Sequence, residues 1–197
     1  MTVSLRRQIS SIAFPAIVSN ITTPLLAMID VAIAGHFGSA SYIGAIAIGS
    51  SMFNMLYWLF GFLRMGSSGI TAQAYGAGNW TATASHLYRA LMVGIVVGLL
   101  ITAVSVPIAD VMLRFMDADP TTAPLARHYF LIAVTGAPAT LGTFALSGWF
   151  LGMQNSRMPM YMALLTNIVN IAASLLLVFG FGMSIKGIAI GSATAQW

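Results

Sequence analysis

The chain has 197 residues, of which 58% are hydrophobic and only 6% charged, with no glutamate and no cysteine. A water-soluble domain carries about 25% charged residues, so most of this chain's outer surface must be apolar, which excludes an ordinary soluble fold. The missing cysteines exclude disulfides and thiolate metal sites. The basic residues behind the net charge of +4 are scattered singly apart from Arg6-Arg7, a pattern that marks membrane topology rather than a nucleic-acid patch.

Arg6-Arg7 precede an apolar run from about residue 9 to 34. That run exceeds the roughly 7–15 residues of a signal-peptide core and has no cleavage site followed by a soluble domain, so it reads as a span that stays in the membrane. Crossing a hydrocarbon core takes about 20 apolar residues, and the segments 43–65, 87–109, 129–153 and 160–180 also qualify. A sixth begins near Ile185 and is incomplete at Trp197. All are expected to be helices, because a helix satisfies its own backbone in lipid and a lone strand does not. The fold class is therefore all-α, a polytopic helical membrane protein.

Glycine and polar clusters punctuate the spans. Gly35 to Ser39 ends the first, and Asp117-Ala118-Asp119-Pro120 is a water-exposed turn. Gln154 to Arg157 and Phe179 to Gly182 close the fourth and fifth. Gly66-Ser67-Ser68-Gly69 and Gly76 to Asn79 are expected to bracket a short amphipathic stretch, Ile70 to Tyr75. With the N-terminus inside, Arg6, Arg7, Arg64, Arg89 and Arg157 face the cytoplasm, against Arg114, Arg127 and Lys186 outside. Asp110, Asp117 and Asp119 fall outside too, which agrees with a cytoplasmic N-terminus.

Asp30 is the one acid inside a predicted span. A charge near the bilayer centre costs about 2.5–3.5 kcal/mol or more, and burial disfavours the charged form of a carboxyl, which suits a proton carrier. The alternative is a carboxylate wetted near the outer end of its span. At 100° per residue Asn20, Thr23, Ala27, Asp30 and Ala34 share one narrow arc, the pattern of a helix lining a cavity. Pro15 and Pro24 each remove a backbone donor and make this helix bendable.

The fifth span repeats the pattern: Asn167, Asn170 and Ser174 share a face opposite Leu165, Ile168 and Leu176. The two amides could bond Asp30 or a solute, or act as glue between helices. His36, His86 and His128 sit at loops or interfaces without a second ligand at i+3 or i+4, so no metal site is expected. The thirteen methionines suit packing, and equally a deformable apolar pocket. No nucleophile–base pair appears, so no enzyme is expected. No span interior holds a lysine or arginine, which favours cationic over anionic solutes.

Several segments along the chain carry a resemblance. Phe14-Pro15-Ala16-Ile17 and Met28-Ile29-Asp30-Val31-Ala32-Ile33-Ala34-Gly35-His36-Phe37-Gly38 resemble the opening of the multidrug and toxic compound extrusion (MATE) family. Gly49 to Asn54, Trp58 to Gly66 and Thr71 to Gly78 look like its DinF-type branch, and Asn167 to Ile171 and Lys186 to Ile190 match later landmarks. The resemblance implies two six-helix lobes, of which residues 1–197 would be the first with its sixth helix truncated and the C-terminal lobe missing. It implies a secondary antiporter of the bacterial inner membrane that exports cationic, amphipathic compounds in exchange for protons or sodium ions, without a cofactor. Asp30 matches the family's first-helix carboxylate, Asn170 a fifth-helix amide and Ser192 a sixth-helix hydroxyl. Ser174 stands where many relatives have an aspartate, which leaves the coupling ion open. Two other readings remain: a flippase for lipid-linked precursors, which would normally hold pyrophosphate with several cavity cations, and a non-transporting membrane fragment.

Overall fold

The computed structural model describes residues 13–15, 17–18, 21, 28–36 and 40–197, and every regular element among them is helical. Helix α1 covers 28–35. Helices α2 (Ala40–Leu59) and α3 (Gly61–Gly76) are separated by Phe60 alone and form one run of 37 residues. Helix α4 (Trp80–Ala103) passes through Val104 into α5 (Ser105–Phe115). A single 3-10 turn, Val134–Gly136, joins α6 (Ala123–Ala133) to α7 (Ala137–Gly152). Helix α8 (Arg157–Leu175) ends in a π-helical turn, Leu176–Gly180, and α9 spans Ile185–Gln196. Four described stretches are long and apolar enough to cross a membrane: Ala40–Gly76, Trp80–Ala103, Ala123–Gly152 and Arg157–Gly180. Half of the first expected span, 9–34, lies outside the described residues.

One expected break is absent. Gly66-Ser67-Ser68-Gly69 lies inside α3, which continues unbroken to Gly76. The small residues serve packing: Ser67 and Thr71 are buried and meet glycines of α7, where a Cβ on Gly148 would stand 2.9 Å from Ser67 Cβ and one on Gly152 would stand 2.7 Å from Thr71 Cβ. The true reversal comes at Gly78, whose φ of +68° is open to glycine at no steric cost. Asn79 then starts α4, its side chain accepting a hydrogen bond from the Ala82 N–H at 2.9 Å, which satisfies one of the unpaired first-turn donors.

Helix α7 packs against both α3 and α4. On α4 a Cβ at Gly94 would lie 2.9 Å from the Leu141 carbonyl oxygen, and one at Gly98 2.5 Å from the Pro138 nitrogen. Gly94 with Gly98, and Gly148 with Gly152, are two four-residue glycine spacings on facing helices. In lipid, apolar area alone does not drive helices together, so close backbone approach at small residues supplies the contact energy. The Trp149 indole N–H donates to the Thr83 carbonyl at 2.8 Å and pins the same pair.

A second group joins α2 to α6, α6 to α9, and α8 to α9. Phe130 is fully buried there and stacks on Phe53 with ring centroids 4.9 Å apart. The outward faces of α4 and α8 expose Met92, Val96, Leu99, Leu165 and Ile168, side chains that only lipid covers without cost. At the end of the molecule carrying Asp110, the Arg127 Nε–H donates to the Asp110 carboxylate at 2.7 Å.

Candidate functional site

Asp30 sits on the inward arc of α1 together with Ile33 and Ala34 and is only 7% exposed. Its Oδ1 is buried with no hydrogen-bond partner. A buried acceptor left unpaired costs roughly 1–3 kcal/mol, more if charged, and native structures hold few of them.

Polar side chains from four further helices form a network whose link to this carboxyl is electrostatic, through Tyr129. Tyr129 of α6, itself buried, interacts electrostatically with Asp30 and through its hydroxyl with Ser50 of α2 and Ser192 of α9. The Asn170 amide donates from Nδ2 to Ser192 Oγ at 3.0 Å, and the Ser174 hydroxyl donates to Asn170 Oδ1 over a long 3.5 Å. Asn170, Ser174 and Ser192 are all buried. Gly191 makes the junction possible, because a Cβ there would stand 2.8 Å from the Ser174 nitrogen, so α8 and α9 touch backbone to backbone. The π-helical turn follows directly after α8, and such turns often mark functional sites.

The structure therefore joins Asn170, Ser174 and Ser192 in one buried network, linked electrostatically to Asp30 through Tyr129. Asn167 is half-buried on α8, outside that network. Pro15 is buried, whereas Asn20, Thr23 and Pro24 lie outside the described residues. Tyr129 and Ser50 are additional members that the sequence did not single out. The fourth span had been expected to start at 129, which put Tyr129 at a membrane boundary. Helix α6 begins at Ala123, and the earlier start carries the tyrosine into the core. Among the described residues no three histidine or carboxylate groups cluster to hold a metal ion. His36 faces the Ala32 carbonyl at 3.0 Å and meets Phe179 edge-on.

A second polar line begins one helical turn beyond Ser192. The Thr140 hydroxyl donates to Gln196 Oε1 at 2.8 Å. Tyr57 lies beside Thr140, but its own hydroxyl makes no hydrogen bond. Tyr57 also lines an open groove of about 1160 Å³ with Asn54, Trp58, Phe62, Arg64 and Phe144. The lining of this groove does not include Asp30, so the groove and the buried carboxyl are separate features.

The MatE family profile matches residues 15–176. The chain is 38% identical over 186 residues to DNA damage-inducible protein F of Escherichia coli, covering 94% of this chain and 40% of that protein. It is 27% identical over 202 residues to a probable multidrug resistance protein NorM of Thermotoga maritima, covering 98% of this chain and 42% of the relative. Among solved structures, a MOP superfamily transporter from Pyrococcus furiosus superposes with a TM-score of 0.85 at 19% identity, over 96% of this chain and 42% of its own. A Vibrio cholerae MATE transporter in a bent form superposes with a TM-score of 0.83 at 18% identity, over 98% and 44%. These structures share the fold, and the chain spans about 40% of the length of the curated relatives it matches. The helices, the family profile and the 38% identity agree, and the chain belongs to the MatE family of membrane transporters.

Proposed function

We propose that this chain forms the first lobe of a secondary antiporter, in which Asp30 alternately holds a proton and a cation. The observation that carries the reading is the buried, unpartnered Asp30 Oδ1 facing Tyr129, with Ser50, Ser192, Asn170 and Ser174 close behind. A proton on that oxygen or a cation beside it removes the same electrostatic penalty, so the two compete for one site. Hydroxyl and amide oxygens beside a carboxylate suit a desolvated cation, and the cluster holds no positive charge to favour an anion.

A cationic amphipathic solute would enter by the groove at Tyr57, whose walls are mainly aromatic and apolar, with Asn54, Ser68 and Arg64 as their polar members. The line Tyr57, Thr140, Gln196, Ser192 supplies polar contacts along the way inward. Protonation of Asp30 from the far side would then weaken the hold on the solute and favour its release, with Pro15 and Pro24 absorbing the accompanying bend of the first helix. Both protons and sodium ions fit as coupling ions, because Ser174 supplies no second carboxylate. The inner membrane and a cytoplasmic N-terminus follow from the same reading, as does a second lobe in the complete protein. The chain's alternative as a flippase for lipid-linked precursors is weaker, since the polar cluster contains no cation and its approach groove offers Arg64 alone among its lining, too little charge to hold pyrophosphate.

The test is dye efflux from vesicles containing the complete protein, with pH and sodium gradients imposed separately. Asp30→Asn should insert normally and lose gradient-driven efflux. Retention of full coupled efflux by that variant would refute the role given to Asp30.

A further inference from the structure

A smaller groove, of about 360 Å³, runs between α3 and α4 and has Phe62 in common with the solute groove. Phe62, Gly66 and Ile70 form one side, spaced four residues apart along α3, and His86, Arg89 and Val93 form the other. Phe62, Ile70 and Val93 are each about half exposed or more, and a Cβ on Gly66 would meet nothing within 4 Å, so the floor of the groove is open.

Its height in the bilayer follows from charge spacing. The twenty positions from Ala90 to Ala109 hold no charged residue, and at about 1.5 Å per residue they span about 30 Å, the thickness of the hydrocarbon core. Arg89 and Asp110 thus mark its two edges, and Arg89 stands at headgroup level. It has no anionic partner. The one ion pair among the described residues is Arg127 with Asp110, and the chain's four acids are Asp30, buried beside Tyr129, and Asp110, Asp117 and Asp119 at the opposite end.

We propose that this groove binds one anionic phospholipid of the leaflet at the Arg89 end, which is the inner leaflet if the N-terminus is cytoplasmic. The phosphate sits between His86 and Arg89, and an acyl chain covers Phe62, Ile70 and Val93 over the open floor at Gly66. Basic pockets between spanning helices take lipid headgroups in this way. A free phosphate ion satisfies Arg89 and His86 but leaves the apolar wall bare. This site stands independently of the transport mechanism.

Native mass spectrometry of the purified chain, released from micelles containing phosphatidylglycerol or phosphatidylcholine, tests it. A basic residue near an anionic surface contributes about 1 kcal/mol, so phosphatidylglycerol adducts should be retained about 5-fold more than phosphatidylcholine adducts. Arg89→Gln should abolish that preference. Gly66→Leu, which fills the floor, leaves the charges and favours the helix, should deplete adducts of both lipids and decides the matter if Arg89→Gln does not fold. Arg157→Gln, at the same end of the molecule, should change nothing. Equal retention of the two lipids by the unaltered chain, undiminished adducts with Gly66→Leu, an equal loss with Arg157→Gln, or displacement of phosphatidylglycerol by inorganic phosphate would each overturn the proposal.

Discussion

At the scale of single residues, two buried groups separate function from packing. Asn170 bridges Ser192 and Ser174, so Asn170→Ala should leave both hydroxyls poorly satisfied and destabilise the fold by about 1–3 kcal/mol, read as a lowered unfolding temperature in micelles. Thr71 is the contrasting case. Its hydroxyl is buried without a partner, so Thr71→Val keeps the shape, removes an unpaired polar atom, and should leave stability unchanged or slightly raised in the same assay. In the exposed turn, Asp119 accepts from the Thr121 hydroxyl and N–H, which hold its carboxyl below the usual carboxylate range. A lowered value in the folded state means this contribution is present above about pH 4, the unfolded value, and disappears as the pH falls through the lowered one. Amide exchange at Thr121 and Thr122 should therefore quicken in acid, and Asp119→Asn should remove that pH dependence. Asp30 was legible in the sequence because an acid within an apolar run has few bland explanations. Tyr129 was not, since a tyrosine near a span end is equally a headgroup anchor, and only the start of α6 at Ala123 decides between the two.

At the scale of helices, the apolar runs were readable from composition, and the breaks were read less well. Glycine ends helices in water because it frees the backbone, but in lipid it also lets two helices approach. Gly66 to Gly69 looks like the first case, yet α3 runs through it and presents Ser67 and Thr71 to α7. The pairs Gly94 with Gly98 and Gly148 with Gly152 are the second case, and their partners are long-range, which local pattern does not disclose. Gly98→Leu should force α4 away from Pro138 and cost about 1–3 kcal/mol by overpacking, whereas Gly66→Ala, facing open space, should be neutral or mildly stabilising. Thermal unfolding of the two variants side by side distinguishes a packing glycine from a permissive one. Gly191→Ala belongs with the first kind: it presses on Ser174 and should disturb the polar cluster along with stability.

At the scale of the whole molecule, the two ends differ in charge. Arg64, Arg89 and Arg157 mark one, while Asp110, Asp117 and Asp119 mark the other. The absence of native cysteine makes the resulting orientation easy to check with introduced ones. Pro120→Cys should react with a membrane-impermeant maleimide in intact cells, and Ala77→Cys only after permeabilisation; the reverse pattern would invert the topology. The fold class followed from sequence because lipid permits so few alternatives, but the polar network that reaches Asp30 through Tyr129 did not, as it depends on the distant contacts of α2, α6, α8 and α9. The central claim is that a proton and a cationic solute exclude one another at that carboxyl. Infrared difference spectroscopy of the complete protein, recorded as a cationic dye is added, measures this directly. Dye binding should erase a protonated-carboxyl stretching band that Asp30→Asn lacks altogether, and a band in the unaltered protein that persists unchanged at saturating dye would contradict the account.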